Sequence, residues 1–231
     1  MVPDRSVTPT ATPNAYPVST PQTSQVARPG VFARAQSYPA AVELFRQGDQ
    51  PEDVFYLERG LVKLLRNQAD GEERIVGLRS DGWLLGAAAA VMALPFAVTA
   101  VTVTAARVAR LDAGEFRRRL KDDAGLSWWL HEMHSREVYG QTLHVADLMS
   151  ISARERLLKF YWRLAPVLET SRAESQVRIE NPLRQWEVAQ LVGITPQYLC
   201  QLMAELEADG DLIRRNGGLI LHRRNGSEPV S

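Results

Sequence analysis

Gln197 and Gln201 lie one helical turn apart, and each glutamine amide can both donate to and accept from one adenine edge. Tyr198 stands between them, with a hydroxyl that suits a phosphate and a ring that suits a thymine methyl. Thr195, Arg184 and Gln185 precede them and suit phosphate oxygens. Further on, Arg214, Arg215, Arg223 and Arg224 form two basic pairs, the residue type that neutralises a phosphate backbone. This is recognition chemistry: base-edge hydrogen bonds flanked by charge pairing. No nucleophile elbow, phosphate-binding loop or zinc-hydrolase spacing occurs in the chain. The acidic pairs Glu72-Glu73 and Asp122-Asp123 read as solvated faces or turns. No enzymatic activity is expected.

Helices must position those amides. Asn181-Pro182 is a helix-start signal, with Asn as cap and Pro at the first helical position. The helix is expected to run through Leu183, Trp186, Val188, Ala189, Leu191 and Val192 and to stop at Gly193. Thr195-Pro196 repeats the start signal, and Leu199, Leu202, Met203 and Leu206 form an inward stripe. Two short helices about a glycine turn make a helix-turn-helix, whose second helix enters the major groove. Leu212–Arg215, the turn Asn216-Gly217-Gly218 and Leu219–Arg224 then read as a basic hairpin in the position of a wing.

The whole-chain totals neither help nor hinder. Lys plus Arg and Asp plus Glu are 27 each over 231 residues, so a basic face has to be local. The single cysteine, Cys200, excludes an internal disulfide and a multi-thiolate metal or iron–sulfur site, and fits a reducing, cytoplasmic setting. His131 and His134 are three apart on a helical stretch, a spacing that can hold a metal, but no third ligand is near in sequence. They read as a polar helix face, and His144, further along, as exposed. Cys200 lies in the second helix of the motif, where oxidation would disturb base contacts; a small packed residue is the blander account. Asp81 to Arg107 encloses an uncharged run long enough for a bilayer. Pro95, the Ala-rich stretch 87–93 and the Thr/Val alternation of 98–104 instead predict a buried helix followed by a buried strand.

The front of the chain is strand-rich. Residues 1–29 carry six prolines among Thr, Ser and Gln and are expected to form a disordered tail. Val42–Phe45, Val54–Leu57, Leu61–Arg66 and Arg74–Leu78 are predicted strands, with an Asp70-Gly71 hairpin between the last two. Residues 113–150 turn helical, with Leu126, Trp129, Leu130 and Met133 at spacings of three, four and seven. Such a helix between two domains is expected to pack against a second copy; packing on its own domain is the alternative.

Two blocks, "LFRQGDQPEDVFYLERGLVKLLRNQADGEERIVGL" and "RQWEVAQLVGITPQYLCQLMAELEADGDLI", make the chain resemble the CRP/FNR family of bacterial transcription regulators over about residues 31–224. The resemblance implies an α+β protein: an N-terminal β jelly-roll, a long dimerisation helix and a C-terminal winged helix-turn-helix. The corresponding divisions are a tail at 1–29, a β-roll at 30–117, a dimerisation helix at 118–150, the DNA-binding domain at 151–225 and a tail at 226–231. It further implies a homodimer on a near-palindromic operator, with double-stranded DNA and RNA polymerase as partners and no membrane. Cyclic-nucleotide binders of the family keep Gly-Glu on a short helix and an Arg-Ser or Arg-Thr pair downstream. Here Gly86 is followed by Ala87, and 94–103 contains no arginine. An uncharged pocket cannot offset the desolvation of a cyclic phosphate. The effector is thus left unknown, with cAMP disfavoured and no cofactor expected. A haem- or redox-linked sensor of the same fold, using the histidines or Cys200, is the alternative; a signalling module or enzyme subunit that binds no DNA is another.

Overall fold

The computed structural model describes residues 18–19, 30–173, 176–215 and 217–222. Of the expected tail, Val18–Ser19 forms a short strand, β1, and the remainder to residue 29 lies outside the described residues. Strands β2 (Gln36–Tyr38), β3 (Glu43–Phe45), β4 (Asp53–Arg59), β5 (Val62–Asn67), β6 (Glu73–Arg79) and β7 (Trp83–Leu85) follow. Helix α1 (Ala87–Met92) separates them from β8 (Thr99–Thr102) and β9 (Ala106–Asp112). Two sheets result, ordered β1-β6-β5-β8-β3 and β2-β9-β4-β7, and together they form the jelly-roll. The uncharged run after Asp81 is therefore a short helix and a strand, as its residue alternation predicts. No helix among the described residues is long and apolar enough to cross a membrane.

The helical stretch after β9 divides into α2 (Ala113–Asp122) and α3 (Ala124–Ser150). Asp123 breaks it: its carboxylate accepts from Leu126 N at 3.0 Å, capping the longer helix. One face of α3 packs on its own β-roll, where Leu126, Trp129 and Leu130 join Phe116, Tyr56 and Leu84. The stripe that marks the helix in sequence is thus an intrachain face. His144, expected exposed, is 8% exposed, because α3 also packs on the helix that follows.

That helix, α4 (Ala153–Leu168), begins with a reciprocal capping box between Ser152 and Glu155. The polar segment after it is a hairpin of β10 (Glu169–Arg172) and β11 (Gln176–Ile179). Val177 and Ile179 alternate inward and hold it to the core. Next come α5 (Gln185–Val192), α6 (Pro196–Ala208), β12 (Leu212–Arg215) and β13 (Gly218–His222). The last sheet runs β10-β11-β13-β12.

A candidate nucleic-acid interface

Helix α5 starts three residues later than Asn181-Pro182 signals, with Arg184 at the cap and Gln185 at the first helical position. Asn181 Oδ1 accepts from Leu183 N at 3.1 Å, so its side chain closes a local turn. Glu187 supplies the cap instead, reaching back to Arg184 N at 2.7 Å. Gly193 ends the helix at φ 74°, a left-handed conformation that favours glycine. Thr195 Oγ1 then accepts from Tyr198 N at 3.2 Å, and Pro196 occupies the first position of α6. Both stops and starts are local chemistry, and they set the angle between the helices. Leu199, Leu202, Met203 and Leu206 are all buried, which fixes the rotation of α6.

That rotation leaves Gln197, Tyr198, Cys200 and Gln201 exposed at the N-terminal end of α6. Gln201 Nε2 donates to Glu205 Oε1 at 2.9 Å. Glu205, which sequence reasoning passed over, therefore belongs to the same surface, and its carboxylate suits a cytosine amino group. Its place one turn after Gln201 was the available signal. Thr195 is exposed at the helix start, and Arg184 and Gln185 are exposed at the start of α5. Cys200 Sγ contacts Gln185 Oε1 at 3.7 Å, which ties the two helix faces together.

The wing is present, with Arg215 paired to Gly218 across the turn. Asn216, Arg223 and Arg224 lie outside the described residues. The two remaining wing arginines differ. Arg214 Nε donates to Glu207 Oε1 at 2.9 Å and its backbone N donates to the same oxygen at 3.0 Å. The hydrogen bond from the Arg214 side chain holds the Glu207 carboxyl below the usual carboxylate range. Its folded-state value is depressed, so this tie is present above the ordinary carboxylate range and weakens as pH falls through it. Arg214 is thus a clamp between α6 and the wing. Arg215 is exposed and has no ion pair among the described residues. A cleft of ≈ 340 Å³ separates α6 from the wing, walled by Gln185, Cys200, Arg214 and Arg215 above Leu183 and Met203.

The surroundings of Gly86 are the second place where sequence pointed. Gly86 caps α1 at φ 79°, and a Cβ there would meet Phe96 Cε1 at 2.9 Å. Phe96 is buried and stacks on Phe45 with centroids 4.1 Å apart. Ala87 and Ala89 are buried beside it, and the first turn of α1 holds no acid. His131 and His134 sit on α3, where His131 contacts the Trp128 ring at 5.7 Å. Among the described residues no three His, Cys, Asp or Glu converge as a metal site.

A model of the cyclic nucleotide-binding domain matches residues 35–123, the β-roll and its following helix. The CRP-like cAMP-activated global transcriptional regulator of Mycobacterium tuberculosis is 24% identical over 184 residues, covering 80% of this chain and 81% of that one. Residues 35–123 are a cyclic nucleotide-binding domain, and the chain as a whole has the fold of CRP/FNR regulators. Solved family structures share its fold. The c-di-GMP responsive global regulator CLP of Xanthomonas campestris superposes with a TM-score of 0.68 at 20% identity, covering 84% of this chain and 95% of CLP. A CRP-family transcriptional regulator of Thermus thermophilus gives 0.69 at 18% identity, covering 81% and 92%. The jelly-roll and winged helix-turn-helix are thus those of CRP/FNR regulators, while the residues at Gly86-Ala87 depart from the family's nucleotide-binding pattern.

Proposed function

We propose that this protein is a homodimeric, sequence-specific DNA-binding transcription regulator of the CRP/FNR family that does not respond to cAMP. The observation that carries it is the exposed Gln197–Gln201 face of a capped, core-anchored α6, flanked by the exposed Arg215 of a wing. Gln197 and Gln201 read base edges, with Glu205 beside them. Thr195, Tyr198, Arg184, Gln185 and Arg215 take phosphates. Arg214 holds the wing in place and contributes little free charge, because Glu207 already pairs it.

Dimerisation rests on the other face of α3. Trp128, Val138, Val145 and Met149 are 67%, 61%, 53% and 85% exposed. With His131, Ser135 and Thr142 they follow the alternating three- and four-residue spacing of a coiled-coil seam. A second copy of the same helix covers that stripe about a two-fold axis. Two recognition helices then meet successive major grooves, about 34 Å apart, on a near-palindromic site. RNA polymerase is the expected further partner, and the cytoplasm the expected location.

Selection of binding sites from random DNA tests the function directly. The purified dimer is expected to enrich a two-fold motif with affinity that falls steeply with salt. Absence of any salt-sensitive affinity overturns it. Within that motif, Gln201→Ala relaxes preference at one base pair per half-site, by about 1–3 kcal/mol. An unchanged selected motif counts against Gln201 as a base reader. Calorimetric titration with cAMP is expected to give no binding heat, since Phe96 fills the region beside Gly86, Ala87 follows that glycine, and 94–103 holds no arginine. Tight binding overturns the effector reading.

A further inference from the structure

We infer that the β5–β6 hairpin is a strut that fixes the recognition helix relative to the dimerisation helix without a small-molecule effector. The inference rests on the DNA-binding function proposed above and assigns positioning residues to it. Three observations meet on this one hairpin. Lys63 on β5 reaches Glu187 on α5, Nζ to Oε1, at 2.5 Å, and the Glu187 side chain is 3% exposed. Ile75 N on β6 donates to Gln190 Oε1 on α5 at 3.0 Å. At the end of β6, Arg79 Nη2 reaches Glu137 Oε1 on α3 at 2.5 Å, with its guanidinium 5.0 Å from the Trp83 ring.

The contacts are not superficial. Leu61, Leu65, Ile75 and Leu78 of the β-roll belong to the same buried cluster as Leu191 and Val192 of α5 and Leu202 and Leu206 of α6. The helix-turn-helix therefore shares a core with the roll. Along that seam, the Lys63–Glu187 pair and the Gln190–Ile75 bond are directional, and directional bonds select one docking geometry where apolar contact alone tolerates sliding. Glu187 also caps α5, so one carboxylate couples the strut to the start of the motif. In this docked arrangement the base-reading face of α6 is exposed. The docked state is accordingly the DNA-binding state, and the filled region at Phe96 removes the need for a ligand to create it.

The test uses the full-length dimer. Lys63→Met combined with Gln190→Leu is expected to lower affinity for the selected DNA at least tenfold, with dimerisation retained and hydrogen exchange at the Ile75 amide accelerated. Lys63→Arg, which keeps the charge, is expected to retain affinity. If the double variant does not fold, Gln190→Ala leaves the ion pair in place and carries the test: Ile75 exchange accelerates and affinity falls severalfold. Folded variants that bind as tightly as the parent, or more tightly, overturn the strut. A parent protein without salt-sensitive DNA affinity sinks the proposed function instead, and the exchange at Ile75 still reports whether the docking bonds exist.

Discussion

A chain carrying Val138→Glu and Tyr139→Glu sediments as a folded monomer and binds the selected operator about a thousandfold or more weaker than the parent, roughly 4 kcal/mol. Both side chains are more than 60% exposed in the single chain, at 61% and 68%. Substitutions at such surface positions typically change monomer stability by only about 0.5 kcal/mol either way. Val138 lies in the seam and Tyr139 flanks it, so the two substitutions bring four like charges to the place where apolar contact is needed. The monomer keeps one recognition helix and one wing and loses the second half-site. What is left is close to the non-specific, charge-driven term. Analytical ultracentrifugation and a binding titration at fixed salt read both effects. A variant that remains dimeric places the dimer interface elsewhere and removes the reason for a palindromic site.

The parts legible in sequence were those governed by local chemistry. Gly193, Thr195-Pro196 and the Leu199–Leu206 stripe act within one or two helical turns, and the structure places the turn and the rotation of α6 where they indicate. Asn181 misled because its side chain had two local uses, a helix cap or a turn to Leu183 N, and the choice was made by Glu187 capping from the far side. The clamp on Arg214 and the burial of His144 depend on residues brought in from other elements, and no spacing rule carries that information. The α3 helix shows the limit most clearly. Its most regular apolar spacing, Leu126 to Met133, packs on its own domain, while the unpartnered stripe is punctuated by Ser135 and Thr142 and reads weakly as a period. A face used for association must remain tolerable to water in the free chain, and so carries a diluted apolar signal.

Phe96→Ala destabilises the fold by about 3–5 kcal/mol and creates no cAMP receptor. Phe96 is 5% exposed and stacks on Phe45 at 4.1 Å within the cluster of Phe55, Trp83 and Leu85. Removing the ring loses its transfer free energy and leaves a void that the two sheets cannot fully close, because β4 is hydrogen-bonded on both sides, to β7 and to β9. Chemical denaturation at constant slope reads the loss. The void lies beside Gly86, so the variant also separates the two arguments for the proposed cAMP insensitivity. If steric filling alone excludes the nucleotide, the opened site gains affinity. If the missing charges decide, as the desolvation cost of a cyclic phosphate argues, the opened site stays silent in calorimetry. Ala87 offers no carboxylate to a ribose hydroxyl, and residues 94–103 offer no guanidinium to the phosphate. Silence is the expected result. Tight binding by the alanine variant means that Phe96 is a plug over a working nucleotide site, and that effector control was closed by one side chain rather than lost from the pocket.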